Sequence, residues 1–230
     1  MYLELVLVKS LESVSIQLIE LDGVHSVYLG GSRAYGGETE SSDWDLFGIV
    51  DSSYDFSSEE ELNKKLSEEF GREIRFRGIN VQELQDGEQK GIITRYVPIE
   101  VLMKSFPGWK HLEGENYSLD DFKVKPASIQ QEKSFYIRRL TKNREKAEKE
   151  DLPFPFEDYV KTVLLLTNVC QVARGEEYTL NYQEIAARSS GIEKKLASLC
   201  VNFRNSHQID KQKFFRELDE YLNKISDNKD

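Results

Sequence analysis

Two groups of residues near the start of the chain have the types and spacing that phosphate and metal chemistry needs. The first is the pair Gly31-Ser32, and ten residues separate it from the second, which contains Asp43 and Asp45. A glycine turn lets backbone N–H groups approach a triphosphate, and a serine hydroxyl can donate one more hydrogen bond to a phosphate oxygen. We therefore expect Gly31 and Ser32 to bind phosphates.

The two aspartates are predicted to lie on one face of a strand. The segment DWDLFGIV (43–50) alternates in character as a strand does, and residues two apart on a strand point to the same side. Asp43 and Asp45 would then offer hard oxygen ligands to Mg²⁺ or Mn²⁺, which can align an in-line attack at phosphorus. Trp44 and Leu46 are expected to pack on the opposite face and to hold the strand in place.

The elements around these residues predict an α+β fold. Apolar residues at mostly helical spacing predict a helix over residues 1–21. A short buried strand, VHSVYLGG (24–31), follows and ends at the glycine pair. After the DWDLFGIV strand, the pattern predicts a helix at 57–71 and two further strands at 72–81 and 93–105. Pro98 indicates that the last of these strands begins or bends there, or lies at an edge.

The second half of the chain reads as helices. Long helices are predicted at 130–150, 158–175 and 210–225, with a short one beginning at Asn181. We place the boundary between the two domains near residues 120–128. The expected organisation is an α+β domain at 1–122 and a helical domain at 123–230.

The segment YLGGSRAYGGETESSDWDL (28–46) resembles the signature of the polymerase-β-like nucleotidyltransferase superfamily: a Gly-Ser pair, a loop, then Asp-hydrophobic-Asp-hydrophobic. The order of elements is similar to that of small antibiotic nucleotidyltransferases of the kanamycin type and of minimal nucleotidyltransferases. The resemblance implies a mixed β-sheet with flanking helices, followed by a C-terminal helical bundle. It implies that the domain at 1–122 is the nucleotidyltransferase catalytic domain and that the helical domain at 123–230 binds the acceptor. It also implies ATP or another NTP as donor, Mg²⁺, and transfer of a nucleoside monophosphate to a hydroxyl.

The family uses a third carboxylate on a neighbouring strand, and here the expected place holds Arg75. Glu73, which shares a face of the strand REIRFRGINV (72–81) with Arg75, is the first candidate for a catalytic acid. It could instead pair with an arginine at the sheet edge. Glu100, in the apolar segment PIEVLM, is the second candidate, and the third possibility is that no third acid exists.

Two residues of the glycine-rich loop have alternative interpretations. Arg33 could reach a phosphate as a bidentate donor, and we include it with the nucleotide-binding residues. It could equally face solvent. Tyr35 could stack on the base, although local packing is the commoner role of a tyrosine in such a loop.

The chain carries 41 acidic residues against 31 basic ones and a formal net charge of −10, which favours a small molecule or a protein as acceptor. That balance disfavours a nucleic-acid partner. The resemblance to antibiotic nucleotidyltransferases makes a small molecule such as an aminoglycoside-like antibiotic the first expectation. Glu157 and Asp158 in the helical half would suit a cationic acceptor. Two alternatives stay open: a protein-modifying or antitoxin-type nucleotidyltransferase with a protein acceptor, and a catalytically weakened module that binds nucleotide and regulates.

A cytoplasmic location without membrane insertion is expected. No apolar run approaches the roughly 20 residues of a membrane span, and the opening segment lacks the features of a signal peptide. Cys170 and Cys200 stand apart, without a CxxC motif, and are predicted to be buried thiols.

Overall fold

The structure, a computed structural model, describes residues 2–38, 42–87 and 97–227. The chain divides into two compact units, Met1–Ala127 and Ser128–Asp230. The first combines a β-sheet with helices, and the second is helical. The α+β fold predicted from the sequence is confirmed.

Four strands form one mixed sheet in the described part of the first unit. They are β1 (Val24–Leu29), β2 (Trp44–Val50), β3 (Ile74–Asn80) and β4 (Lys110–Gly114). Their order across the sheet is β3-β2-β1-β4. The central strand β1 runs antiparallel to β2 and β4, whereas β2 and β3 are parallel. The parallel pair matters for the site because it places the chain before β2 beside the start of β3.

The helices of this unit are short except for the first and third. They are α1 (Tyr2–Ile19), α2 (Gly31–Ala34), α3 (Glu59–Phe70), α4 (Val81–Asp86) and α5 (Ile99–Met103). Three acidic residues occupy the first turn of α3, and Gly71 ends the helix in the left-handed conformation.

Both faces of the sheet are buried, because successive side chains of a strand alternate between two hydrophobic clusters. Trp44 and Leu46 of β2 pack with Leu66 of α3 in the first cluster. Ile49 of β2 packs with Met103 of α5 in the second. The expected anchoring of β2 through Trp44 and Leu46 is confirmed.

The prediction of a strand at 93–105 is wrong for the residues of this segment that the structure describes. Residues 88–96 lie outside the described ranges, and from Ile99 to Met103 the chain forms α5, which carries Glu100. Pro98 precedes the helix, and its carbonyl accepts hydrogen bonds from the backbone N–H groups of Val101 and Leu102. Pro98 therefore begins a helix rather than a strand.

The second unit consists of five helices in the described range 128–227. They are α6 (Ile129–Glu148), α7 (Phe156–Val172), α8 (Tyr182–Arg188), α9 (Gly191–Ser206) and α10 (Lys211–Asp227). The central helix α7 packs against α6, α8 and α9 and is buried on most of its surface. Both cysteines are buried thiols in this unit, as predicted.

Across residues 2–38, 42–87 and 97–227, none of the helices combines the length and apolar character that crossing a membrane requires.

Candidate active site

The turn after β1 brings backbone into direct contact with β2. Gly31 has φ +61°, in the left-handed region that favours glycine, and a Cβ at this position would lie 2.3 Å from Asp45 Oδ2. Gly30 N donates a hydrogen bond of 2.8 Å to the Asp45 carbonyl. Only a residue without a side chain fits at Gly31 beside the Asp45 carboxylate. Ser32 follows in α2 and is buried.

Asp43 and Asp45 lie at the start of β2, close to this turn. Asp45 is within the strand and Asp43 immediately precedes it, on the face opposite the buried Trp44 and Leu46. Asp43 is only 9% exposed, so its charge needs a partner.

Arg75 supplies that partner. It is the residue of β3 directly opposite Asp45 in the parallel register, and its Nη1 lies 2.9 Å from Asp43 Oδ2. Burial by itself lowers the pKa of Arg75, but the Asp43 charge, the hydrogen bond to Glu73 and the Asp45 charge together raise this pKa above its ordinary value. The guanidinium is therefore a fixed positive charge between the carboxylates.

Glu73 binds the same arginine. Arg75 Nε and Nη2 donate to Glu73 Oε1 at 2.9 and 2.7 Å, and the Glu73 side chain is 60% exposed. The structure thus shows the pairing with a sheet-edge arginine that was the alternative to a catalytic role. Glu100 lies on α5, so the strand position on which its candidacy rested does not exist.

Arg33 contacts the backbone of the segment before β2. Its Nε lies 3.1 Å from the Ser42 carbonyl and 3.2 Å from the Asp43 carbonyl, and its Nη2 donates to Ser42 O at 2.8 Å. These contacts hold the chain at Asp43 against α2. Lys110 of β4 lies nearby, with its Nζ 3.3 Å from the Arg33 carbonyl.

Tyr35 packs locally. Its hydroxyl donates to the Ser105 carbonyl at 2.7 Å, and its ring lies where a Cβ of Gly108 would be, 2.1 Å from Tyr35 Cζ. Burial raises the pKa of Tyr35 to about 12. The Tyr35 ring therefore packs against the protein core while half-buried, which is the second of the two roles considered for it.

An aromatic pair beside Gly30 was not predicted. Phe47 of β2 stacks on Trp109 with ring centroids 4.1 Å apart, and a Cβ at Gly30 would lie 2.5 Å from the Phe47 ring. The alternation of β2 places Phe47 on the same face as Asp45, which is a sequence signal. Trp109 directly precedes β4, a strand that the sequence pattern did not reveal.

Asp43 and Asp45 are the two carboxylates that the sequence predicts as ligands of a cation. Within the described ranges, no group of three or more His, Cys, Asp or Glu residues is placed to hold a metal ion. Asp43 and Asp45 nevertheless fit a divalent cation in two respects. The absence of a side chain at Gly31 lets the Asp45 carboxylate lie against the turn, and Asp43 Oδ2 is buried with the ion pair to Arg75 and no hydrogen bond among the described residues.

The acidic residues at the start of α7 are ion-paired within their own helix. Lys161 Nζ lies 3.3 Å from Glu157 Oε1 and 3.7 Å from Asp158 Oδ1. A lysine therefore already balances part of the charge that was expected to attract a cationic acceptor.

The site lies within a part of the chain that is similar to a known family. Residues 14–95 match the family described as "Polymerase beta, Nucleotidyltransferase". This range contains the glycine turn, both aspartates and the strand that carries Arg75. A search of curated proteins found no match.

A solved structure shares the fold over nearly the whole chain. It is spectinomycin adenyltransferase AAD(9) from Enterococcus faecialis, with ATP and spectinomycin, at 15% identity and a TM-score of 0.60. The match covers 95% of this chain and 97% of that one.

Two toxin-antitoxin structures match less of the chain. One, with AMP-PNP, is 16% identical with a TM-score of 0.34, covering 61% of this chain and 92% of that one. The other, MntA-HpeT, is 19% identical with a TM-score of 0.33, covering 60% and 91%. Both similarities are too weak to indicate a shared fold across this chain.

Proposed function

Because residues 14–95 match the family described as "Polymerase beta, Nucleotidyltransferase", we propose that the protein transfers a nucleoside monophosphate from an NTP, ATP first among them, to a hydroxyl of a small molecule, with pyrophosphate as the leaving group. The observation that carries this proposal is the contact between the Gly31 backbone and the Asp45 carboxylate, where a Cβ would lie 2.3 Å from Oδ2. In this proposal a backbone that can approach phosphate lies beside Asp45, which would be a ligand for the cation that accompanies phosphate.

In this proposal each residue of the site has a separate task. Gly31 and Ser32 hold the β- and γ-phosphates, and Asp43 and Asp45 hold Mg²⁺ or Mn²⁺. When bound, such a cation neutralises phosphate charge and supports in-line displacement. Arg33 keeps Asp43 in place through its hydrogen bonds to backbone carbonyls, so its contribution to nucleotide binding is indirect.

The second unit would bind the acceptor. The solved structure with the shared fold is an adenyltransferase that holds ATP and spectinomycin, and this supports ATP and an antibiotic-like acceptor as the first compounds to test. Glu157 and Asp158 give little support to a strongly cationic acceptor, because Lys161 pairs with both.

A transfer assay tests the proposal. ATP labelled at the α-phosphate is incubated with the protein, Mg²⁺ and, in turn, aminoglycosides, aminocyclitols, lincosamides and candidate protein acceptors. We expect label on a small molecule, and label on a protein would favour the protein-modifying alternative. Asp45→Asn should lower the rate at least about a hundredfold, since a bound metal contributes several kcal/mol to stabilising the transition state.

The matched control for this assay is Asp120→Asn. Asp120 is an exposed aspartate of the same unit, in the turn Leu119–Asp121, and its change should leave the rate unaltered. Equal rates for Asp45→Asn and Asp120→Asn would contradict the proposal.

A second candidate function is nucleotide binding without transfer, as in a regulatory module. The observation that favours it is Arg75, which stands opposite Asp45 where the family resemblance implies an acid. In that case ATP with Mg²⁺ would raise the thermal midpoint, because a ligand that binds only the folded state stabilises it. No labelled product would form with any acceptor.

A further inference from the structure

Arg75 divides its hydrogen-bonding groups between two carboxylates. Nη1 lies 2.9 Å from Asp43 Oδ2, while Nε and Nη2 both donate to Glu73 Oε1. The two carboxylates differ in exposure: the Asp43 side chain is 9% exposed and that of Glu73 is 60% exposed. The guanidinium thus bridges a buried anion and a solvated one.

A divalent cation bound by Asp43 and Asp45 would use the negative charge of Asp43 that Arg75 already neutralises. Two positive charges within a few ångströms of each other repel, and the repulsion is stronger where burial reduces screening by water. The guanidinium and the cation therefore compete for Asp43. Glu73 can keep hold of the guanidinium after Asp43 releases it, because Nε and Nη2 are bound to Glu73 independently of Nη1.

We propose that Arg75 is the resident counter-ion of the candidate metal site: it neutralises Asp43 in the metal-free protein and must leave it before a divalent cation binds. This inference rests on the proposed function only in taking Asp43 and Asp45 as the metal ligands. Arg75 is then a positioning residue, and Glu73 is the anchor of Arg75 instead of a third metal ligand. Free metal binds weakly as a consequence.

Binding of Mn²⁺ to the full chain without nucleotide tests the proposal, with free Mn²⁺ measured by electron paramagnetic resonance. Arg75→Met removes the charge and keeps the aliphatic stem. We expect it to lower the Mn²⁺ dissociation constant about tenfold or more, and tenfold corresponds to about 1.4 kcal/mol. Arg77→Met is the matched control, since Arg77 lies on the same face of β3 and does not pair with Asp43. It should bind Mn²⁺ as the unchanged protein does.

Two further variants distinguish competition from a general change in charge or fold. Arg75→Met combined with Asp43→Asn should lose the gain in affinity, because the contested carboxylate is gone. Arg75→Lys keeps a cation with fewer donors, and its dissociation constant should lie between those of the wild type and Arg75→Met. If circular dichroism shows that Arg75→Met does not fold, the Mn²⁺ affinity of Arg75→Lys tests the competition instead.

The proposal is overturned if Arg75→Met, or Arg75→Lys where only that variant folds, binds Mn²⁺ no better than the wild type. Persistence of the gain after Asp43→Asn would overturn it as well. A failure of the proposed function has a different signature: no labelled product would form with any acceptor, while the order of Mn²⁺ affinities stayed as expected.

Discussion

Gly31 is the residue at which the backbone of the candidate site is most constrained. Its φ of +61° lies in the left-handed region, and its missing side chain leaves room for the Asp45 carboxylate. Gly36 offers a natural comparison a few residues later. Its φ is +71°, and nothing lies within 4 Å of the place where its Cβ would be. The two glycines share a left-handed backbone conformation and differ in what surrounds them.

Alanine substitutions at these two positions separate strain from steric conflict. Either change should destabilise the protein by about 1–2 kcal/mol, the cost of a left-handed conformation for a residue with a Cβ. Gly31→Ala should in addition push the Asp45 carboxylate away and lower kcat/KM for transfer by at least about tenfold, as misplaced catalytic groups do. Gly36→Ala should keep the wild-type kcat/KM. Equal kinetic losses in both variants would show that strain alone explains the effect.

At the scale of elements, α3 completes the edge of the sheet. Among the strands in residues 2–38, 42–87 and 97–227, β3 lies at the edge of the sheet, next to β2. On its other side, Asn63 of α3 accepts a hydrogen bond of 2.6 Å from Phe76 N and donates one of 3.1 Å to Phe76 O. Ser67 accepts from Ile74 N at 2.9 Å. Side chains of a helix thus replace a neighbouring strand on both sides of Arg75.

Asn63→Leu tests this role of α3. The change leaves the Phe76 N–H and carbonyl without their partner, and an unsatisfied buried polar group costs about 1–3 kcal/mol. We expect the free energy of unfolding of the first unit, measured by urea denaturation, to fall by about 2 kcal/mol or more. Lys64→Ala, at an exposed position of the same helix, should change it by less than about 0.5 kcal/mol. If Asn63→Leu changed the free energy of unfolding no more than Lys64→Ala does, the hydrogen bonds between Asn63 and Phe76 would contribute nothing to stability.

The elements whose pattern is set by local chemistry could be predicted from the sequence. Alternation with Trp44 and Leu46 buried identified β2, and the acidic first turn with a terminal glycine identified α3. The short helix α8 begins after Asn181, whose side chain accepts hydrogen bonds from the backbone N–H groups of Gln183 and Glu184. In each case the signal lies within a few residues of the element that it specifies.

The elements that depend on distant partners could not be predicted. Ile99, Val101 and Met103 are all buried, and burial at every second residue mimics a strand although the segment is the helix α5. The strand β4 has mostly exposed or half-buried residues, so its identity comes from pairing with β1 and leaves no apolar alternation. The same limit applies within the site: the position of Arg75 could be predicted, but its contact with Asp43 depends on the register of β2 and β3.

At the scale of the whole molecule, the chain carries a separate probe in each unit. Both tryptophans, Trp44 and Trp109, belong to the first unit, and both cysteines, Cys170 and Cys200, belong to the second. Burial raises the pKa of each thiol above its ordinary value. Because the thiolate is the reactive form, both cysteines should react slowly with a disulfide reagent at pH 8 while the second unit is folded. Tryptophan fluorescence therefore reports on one unit and thiol reactivity on the other.

These probes predict how the two units unfold. Each unit has its own buried core, so we expect two separate transitions in guanidinium chloride, one seen by fluorescence and one by thiol labelling. ATP with Mg²⁺ at about a hundred times its dissociation constant should stabilise the first transition by about 2.7 kcal/mol, because the proposed nucleotide site lies within that unit. The thiol transition should not move, and full denaturation should release both thiols as the internal standard. Coincident transitions that shift together with ATP would show instead that the chain unfolds as one cooperative body.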